Sequence, residues 1–199
     1  MYSDNPITII TGIRSGGLTI YGVIFGAFLG AWICSRVRKI DFLSFIDLGG
    51  MGLLIGQAIG RWGNFINREL YGLPTDVPWR MGLTWVGGSE PWYSSFMPIH
   101  TIYVHPTFLY ESLWNLLGLL LIYTYSKRVG RKYKGQLFLF YLAWYGLGRI
   151  WVEALRDPTQ NMFLGAIPIN MAIAVLCAIG ATVANMIILS RQKSKGEKA

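Results

Sequence analysis

Charged residues are scarce in this chain. Aspartate, glutamate, lysine and arginine make up 14% of its 199 residues against 53% hydrophobic ones, a balance that excludes an ordinary water-soluble domain of this size. Cysteine is scarcer still. Cys34 stands at one end of the first apolar segment and Cys177 deep in the last, so neither a disulfide framework nor a zinc site is expected, and no Cys/His cluster has ligand spacing. Residues 1 to 14 lack the basic stretch and apolar run of a signal peptide. No Gly-rich nucleotide loop, HExxH helix or GxSxG elbow occurs. No cofactor and no metal are therefore expected.

What the chain does have is long apolar segments, at about Leu18 to Ser35, Phe42 to Ile59, Phe108 to Tyr125, Gln136 to Leu155 and Phe163 to Leu189. Each is near the roughly 20 residues that cross the hydrocarbon as a helix. The expected fold is all-α: a polytopic membrane helix bundle of about five spans forming one transmembrane domain over residues 1–199. Asp47 interrupts the second segment, which leaves a buried or re-entrant helix as the alternative there.

Basic residues give the orientation, because short positively charged loops stay in the cytoplasm. Arg36, Arg38 and Lys39 follow the first segment, Lys127, Arg128, Arg131, Lys132 and Lys134 the third, and Arg191, Lys193, Lys195 and Lys198 the fifth. All fall on one side. The N-terminus is thus expected outside and residues 190–199 as a fraying cytoplasmic tail. The formal charge of +8 follows from topology and attraction to anionic lipid, with no nucleic-acid partner needed. Residues 61–105, rich in Pro, Gly and aromatics, are expected as a cap on the periplasmic or extracellular side, its tryptophans forming an interfacial belt.

Glycines at four-residue steps, Gly22, Gly26 and Gly30, then Gly52, Gly56 and Gly60, predict two smooth helix faces for close packing. Gly60 and Gly63 flank Arg61 and leave room beside it for a lipid headgroup. The remaining polar groups crowd one leaflet. Tyr21, Arg61, Asn64, His105 and Glu111 fall near outer helix ends. Arg149 lies roughly 9 Å inside the end of the fourth span, on one face with Glu153 and Arg156. Arginine at that depth costs about 2 to 3 kcal/mol on the mildest scale, so it must face protein, water or an anion. Two structural readings stand beside a site: an i, i+4 pair between Arg149 and Glu153, and snorkelling of Arg61. The chemical reading is a phospholipid headgroup, whose phosphate arginine grips bidentately while an amide donates and a carboxylate orients. A small transporter would instead place polar groups at mid-bilayer on both sides of a central site.

"GRWGNFINRELYG" at 60–72 resembles the signature of the bacterial prolipoprotein diacylglyceryl transferases, as do "SGGLTIYG" at 15–22, "HPTFLYE" at 105–111 and "YGLGRIWVEALRDP" at 145–158. The resemblance implies transfer of the diacylglyceryl group of phosphatidylglycerol to the lipobox cysteine thiol of a prolipoprotein, forming a thioether and releasing glycerol phosphate. It carries Arg61, Asn64, Glu69, Gly72, Arg149 and Glu153 into the site. The arginines are expected on the headgroup phosphate, Asn64 in auxiliary hydrogen bonding, and Glu69 and Glu153 as orienting groups. The family has seven spans, of which this chain is expected to lack the first two. Where the family pattern often reads His-Gly-Gly-Leu, this chain has Tyr21-Gly22-Val23-Ile24. A histidine deprotonates a thiol near neutrality, whereas tyrosine has a reference pKa of about 10, so Tyr21, His105 and Glu153 stay open as proton acceptors. The alternative is an impaired or noncatalytic homologue that binds phospholipid as a membrane scaffold.

Overall fold

The computed structural model describes residues 20–86, 99–156, 163–164 and 167–196. Five helices dominate: α1 (Ile20–Val37), α2 (Phe42–Asn67), α3 (Thr107–Arg128), α4 (Gln136–Leu155) and α5 (Ile169–Gly196). Two short antiparallel hairpins join them, β1 (Met81–Val86) with β2 (Ile99–Val104) and β3 (Phe163–Leu164) with β4 (Ile167–Pro168). Helices α2 and α5 are long and apolar enough to cross a membrane, with mean hydropathy 1.6 and 2.4. By internal contacts the chain divides into two compact units, residues 1–46 and 47–199.

In the first unit, the Asp41 carboxylate accepts the Ser44 N–H and hydroxyl, each at 2.9 Å. Such a cap satisfies donors that the first turn of α2 leaves orphaned. Two residues before the end of α1, the Ser35 hydroxyl donates back to the Trp32 carbonyl at 2.8 Å.

In the second unit, Asp47 explains itself. Its carboxylate is buried and accepts the Gly135 N–H at 2.9 Å, the Phe138 N–H at 3.0 Å and Arg131 Nη1 at 3.1 Å. Gly135 is the N-cap of α4 and has no side chain to cap with, so a carboxylate borrowed from α2 fills that place, where the helix dipole favours negative charge. Nearby, the Tyr133 hydroxyl donates to Asn185 Oδ1 of α5 at 2.6 Å. Burial, with the Asp47 charge adding, pushes that phenol above its ordinary pKa.

Helices α2 and α4 run in the same direction. Gly50 lies against Phe138 and Tyr141, and the Gln57 amide donates to the Tyr141 hydroxyl at 3.0 Å. Leu54, Ile122, Leu137 and Tyr141 form the buried apolar cluster among α2, α3 and α4. Helix α5 packs on α4 through small residues: a Cβ at Gly146 would press on the Ala174 carbonyl oxygen, and Ala174, Ala178 and Ala181 are buried.

Helix α3 is locked to α4 by a reciprocal pair of tryptophans. The Trp114 Nε1–H donates to the Trp144 carbonyl at 3.1 Å and the Trp144 Nε1–H to the Trp114 carbonyl at 2.9 Å. The rings stack with centroids 4.3 Å apart. Each ring occupies the space a side chain would need one turn along the opposing helix, Trp114 over Gly148 and Trp144 over Gly118. This clasp fixes which residues of α3 and α4 face one another in the next turn.

Several boundaries differ from those the sequence suggests. Helix α2 continues past Ile59 to Asn67, so Arg61 and Asn64 sit on the helix and not in a cap loop. The fifth helix begins at Ile169, because residues 163–168 include the β3–β4 hairpin, and it runs through the polar stretch to Gly196 instead of fraying after Leu189. Residues 81–104 include a hairpin whose alternating apolar pattern buries Leu83 and Val104. The four-step glycines of α1 and α2 are open: among the described residues no atom lies within 4 Å of an ideal Cβ at Gly22, Gly26, Gly30, Gly52, Gly56 or Gly60. Among the described residues the helix glycines with the closest approach are Gly118 of α3 and Gly146 and Gly148 of α4.

Candidate active site

At the end of the second unit away from Asp47, five charged side chains from three helices and one helix terminus converge. Glu111, in the second turn of α3, is the centre. Its Oε2 takes Arg61 Nη2 of α2 at 2.7 Å and Arg149 Nη1 of α4 at 3.1 Å, and its Oε1 takes Arg156 Nη2 at 3.1 Å. Arg149 reaches onward through Nη2 to Glu153 Oε2 at 2.8 Å, and Arg156 Nη1 lies 3.3 Å from the same oxygen. Asn170 of α5 donates to Glu153 Oε1 at 3.4 Å.

The three guanidinium groups carry three positive charges and the two carboxylates two negative ones, leaving one positive charge in surplus. Glu111, Arg149, Glu153 and Arg156 are buried, while the Arg61 side chain keeps 18% of its exposure. Among the described residues Arg61 makes one ion pair, and the space beside it is open, since none of their atoms lies within 4 Å of an ideal Cβ at Gly60 or Gly63. The buried Arg156 Nε–H has no acceptor among the described residues. Isolated buried charge is costly, so a cluster with one excess cation and spare donors suits an anion.

A strap holds this end together. Residues 70–74 thread between the β2–α3 junction and the end of α4. The Gly72 N–H donates to the His105 carbonyl at 3.0 Å, the His105 N–H to the Leu73 carbonyl at 3.0 Å, and the Leu73 N–H to the Leu155 carbonyl at 2.8 Å. The Thr107 hydroxyl donates to the Leu70 carbonyl. A Cβ on Gly72 would lie 2.6 Å from His105 Cβ and 2.9 Å from the Leu155 oxygen, so only glycine fits the crossing. Its place in the signature is thus explained by backbone approach, with its own chain filling the space a ligand would need.

The other candidates are placed as follows. Asn64 donates to Glu69 Oε1 at 2.9 Å, and Asn67 donates to the same oxygen at 3.2 Å. Glu69 therefore orients the amide and stands apart from the arginine cluster. The imidazole Nδ1 of His105 is 3.1 Å from the Tyr110 hydroxyl, which accepts the Trp79 Nε1–H at 2.8 Å. The pair Arg149 and Glu153 forms the i, i+4 contact that its spacing allows, and both groups also engage further partners. Trp62 does more than line an interface: its Nε1–H donates to the Ser112 hydroxyl at 3.3 Å, and Ser112 donates to the Ala58 carbonyl at 3.0 Å, tying α2 to α3. The Tyr21 side chain lies outside the described residues, although its backbone belongs to α1. Among the described residues no group of His, Cys, Asp or Glu has the arrangement of a metal site, and both cysteines are free.

Sequence reasoning left Glu111 and Arg156 without roles and missed Tyr110. One signal was available for Glu111, the only acidic residue in α3 and the nearest counter-charge for arginines on two other segments.

The prolipoprotein diacylglyceryl transferase family matches residues 1–189. Proteins named phosphatidylglycerol–prolipoprotein diacylglyceryl transferase are similar to it. The one from Acaryochloris marina is 38% identical over 88% of this chain and 61% of its own length. That from Lysinibacillus sphaericus is 41% identical over 82% of the chain and 57% of its own. That from Bacillus cytotoxicus is 38% identical over 98% of the chain and 68% of its own. The chain thus spans about three-fifths of the length of such relatives. With the match running through the arginine-bearing ends of α2 and α4, the chain belongs to the prolipoprotein diacylglyceryl transferase family.

Proposed function

We propose that the chain serves the transfer of a diacylglyceryl group from phosphatidylglycerol to the lipobox cysteine thiol of a prolipoprotein, the first step of bacterial lipoprotein maturation. The observation that carries this reading is the surplus positive charge of the buried cluster, opening at Arg61 beside two unobstructed glycines. A phosphodiester monoanion brings the one negative charge the cluster lacks.

In this mechanism Arg61 takes the headgroup phosphate through guanidinium N–H groups that Glu111 leaves unused. Arg149 and Arg156, held by Glu111 and Glu153, supply fixed positive charge behind it. The thiolate sulfur forms a bond to the glyceryl carbon as the bond from that carbon to the phosphate oxygen breaks. The electron pair leaves with the phosphate as glycerol phosphate. Preorganised cations aimed at that developing charge are the main catalytic term. The thiol proton passes to a base, for which His105, oriented by Tyr110, is the described candidate with an imidazole; Tyr21 and Glu153 are the others. Asn64, aimed by Glu69, donates an auxiliary hydrogen bond. The thiol belongs to the substrate, consistent with Cys34 and Cys177 lying away from the cluster in sequence.

The chain is read as a multi-pass protein of the bacterial cell membrane, with about five spans, its N-terminus outside and its C-terminus cytoplasmic. The arginine cluster then lies at the outer leaflet and Asp47 at the inner one, beneath the basic 127–134 loop. Arg61→Lys tests the site, because it keeps the charge and loses the planar fork. At matched membrane abundance, transfer to a lipobox-cysteine peptide falls on the order of a hundredfold. Near-normal turnover of that variant would reject the phosphate contact.

A further inference from the structure

Beneath the cluster, on the side toward the tryptophan clasp, lies a small cavity bounded by Glu111, Trp114, Asn115, Tyr145, Gly148 and Arg149. A water's centre can move within about 10 Å³ of it, which is about the room one water needs. Asn115 lines this cavity and is 5% exposed, and none of the hydrogen bonds described above uses its side-chain amide. The reason is local. Glu111, one turn away, is the natural acceptor, yet its two oxygens already take four contacts from Arg61, Arg149 and Arg156. A carboxylate offers about four acceptor sites, so none is left for the amide. The amide is not among the fully enclosed unpaired groups, so it meets whatever fills the cavity it lines.

We infer that this cavity is a hydroxyl-recognition subsite and that Asn115 reads the glycerol hydroxyl of the lipid headgroup. The inference rests on the phosphate reading of Arg61 and Arg149. A hydroxyl suits the space because it is the size of a water, accepts from the amide N–H or donates to the amide carbonyl, and adds no charge to a cluster that one phosphate balances. A phosphate held by Arg61 in front of Arg149 carries the hydroxyls of its glycerol ester a few bonds away, toward the cavity that Arg149 lines. A trimethylammonium group is too large for it and a second cation beside three arginines is repelled. Asn115 is thus the specificity-determining residue, and the hydroxyl it holds leaves with the phosphate.

A bound water has the same chemistry, so the test separates the two sources. Radiolabelled phosphatidylglycerol bound to the purified 199-residue chain is displaced by unlabelled phosphatidylglycerol, by phosphatidylpropanol, which has the same charge and no headgroup hydroxyl, or by phosphatidylcholine. Phosphatidylglycerol should compete at least about fivefold better than phosphatidylpropanol, the cost of leaving one buried amide unmet. In Asn115→Val the two anionic lipids should become equivalent. Equal competition by both on the unaltered chain would overturn the subsite and assign the cavity to water, while the phosphate reading would stand because both still exceed phosphatidylcholine. Discrimination that persists in Asn115→Val would place hydroxyl recognition elsewhere. If neither anionic lipid outcompetes phosphatidylcholine, the phosphate reading falls and the subsite with it.

Discussion

Glu111→Gln removes the charge that three arginines share and changes the shape of the side chain little. The formal charge of the cluster rises from +1 to +2, with Glu153 left as its one carboxylate. Because Glu111 is 7% exposed and Arg149 and Arg156 are buried around it, solvent cannot replace what the carboxylate supplied. Breaking a buried ion pair by removing one partner costs about 3 to 5 kcal/mol. At about 2 to 4 °C per kcal/mol for a chain of this size, the unfolding midpoint should fall by roughly 6 to 20 °C. Scanning tryptophan fluorimetry in detergent micelles measures it. The double variant Glu111→Gln with Arg156→Gln returns the count to +1 and should recover part of the loss, a coupling of about 0.5 to 3 kcal/mol. A midpoint for Glu111→Gln within about 2 °C of the parent would refute the reasoning. So would a double variant no more stable than the single one.

At the opposite end of α4, Asp47→Asn keeps one acceptor but turns an amide group toward a backbone donor, so it should cost about 2 to 3 kcal/mol; faster proteolytic cutting in the 127–134 loop and a lowered unfolding midpoint would show it, and unaltered protease resistance would contradict the cap. For the clasp, Gly148→Ala drives a methyl into the Trp114 ring and Trp114→Leu empties that space. In a double-mutant cycle read by thermal unfolding, the pair together should cost less than the sum by about 0.5 to 3 kcal/mol, and strict additivity would mean that the ring does not pack on that glycine.

The five helices were legible because long apolar runs announce them, and Gln136–Leu155 was read with its observed bounds. The end of α2 was not. Arg61, Asn64 and Asn67 look like a departure from the bilayer, yet the helical backbone continues through them because their polar groups meet Glu111 and Glu69. The β1–β2 hairpin escaped notice because glycine, proline and tryptophan around it signalled a loop, whereas the alternation that pairs Leu83 with Ile102 is confined to two six-residue runs. Of the site, Arg61, Arg149 and Glu153 were legible as polar groups out of place in apolar segments. That the arginines converge on Glu111 was not, since it depends on the register of α3 against α4, which the Trp114–Trp144 contacts fix and no local spacing encodes. The glycine steps misled for the same reason: regular spacing in α1 and α2 suggested packing, while the glycines under load, Gly118 and Gly148, are matched across two helices.

The two ends of α4 form one electrostatic design. A helix carries about half a positive charge at its N-terminus and half a negative charge at its C-terminus. Asp47 meets the first with a carboxylate supplied by α2, and Arg149 and Arg156 meet the second with cations of α4 itself and its terminal cap residue. Since α2 runs parallel to α4, the same helix that delivers the acid to one end delivers Arg61 to the other. The negative helix end offsets part of the surplus on the three arginines, so the cluster tolerates its excess charge in the absence of an anion without losing it. Under the function proposed above, the carboxylates of the cluster serve the same balance. Three unopposed guanidinium groups would hold a phosphate monoester dianion more tightly than a phosphodiester monoanion, and so retain the leaving group in preference to the substrate. In the proposed reaction Glu111 and Glu153, by reducing the net charge to one, match the entering diester and leave the departing dianion only partly neutralised.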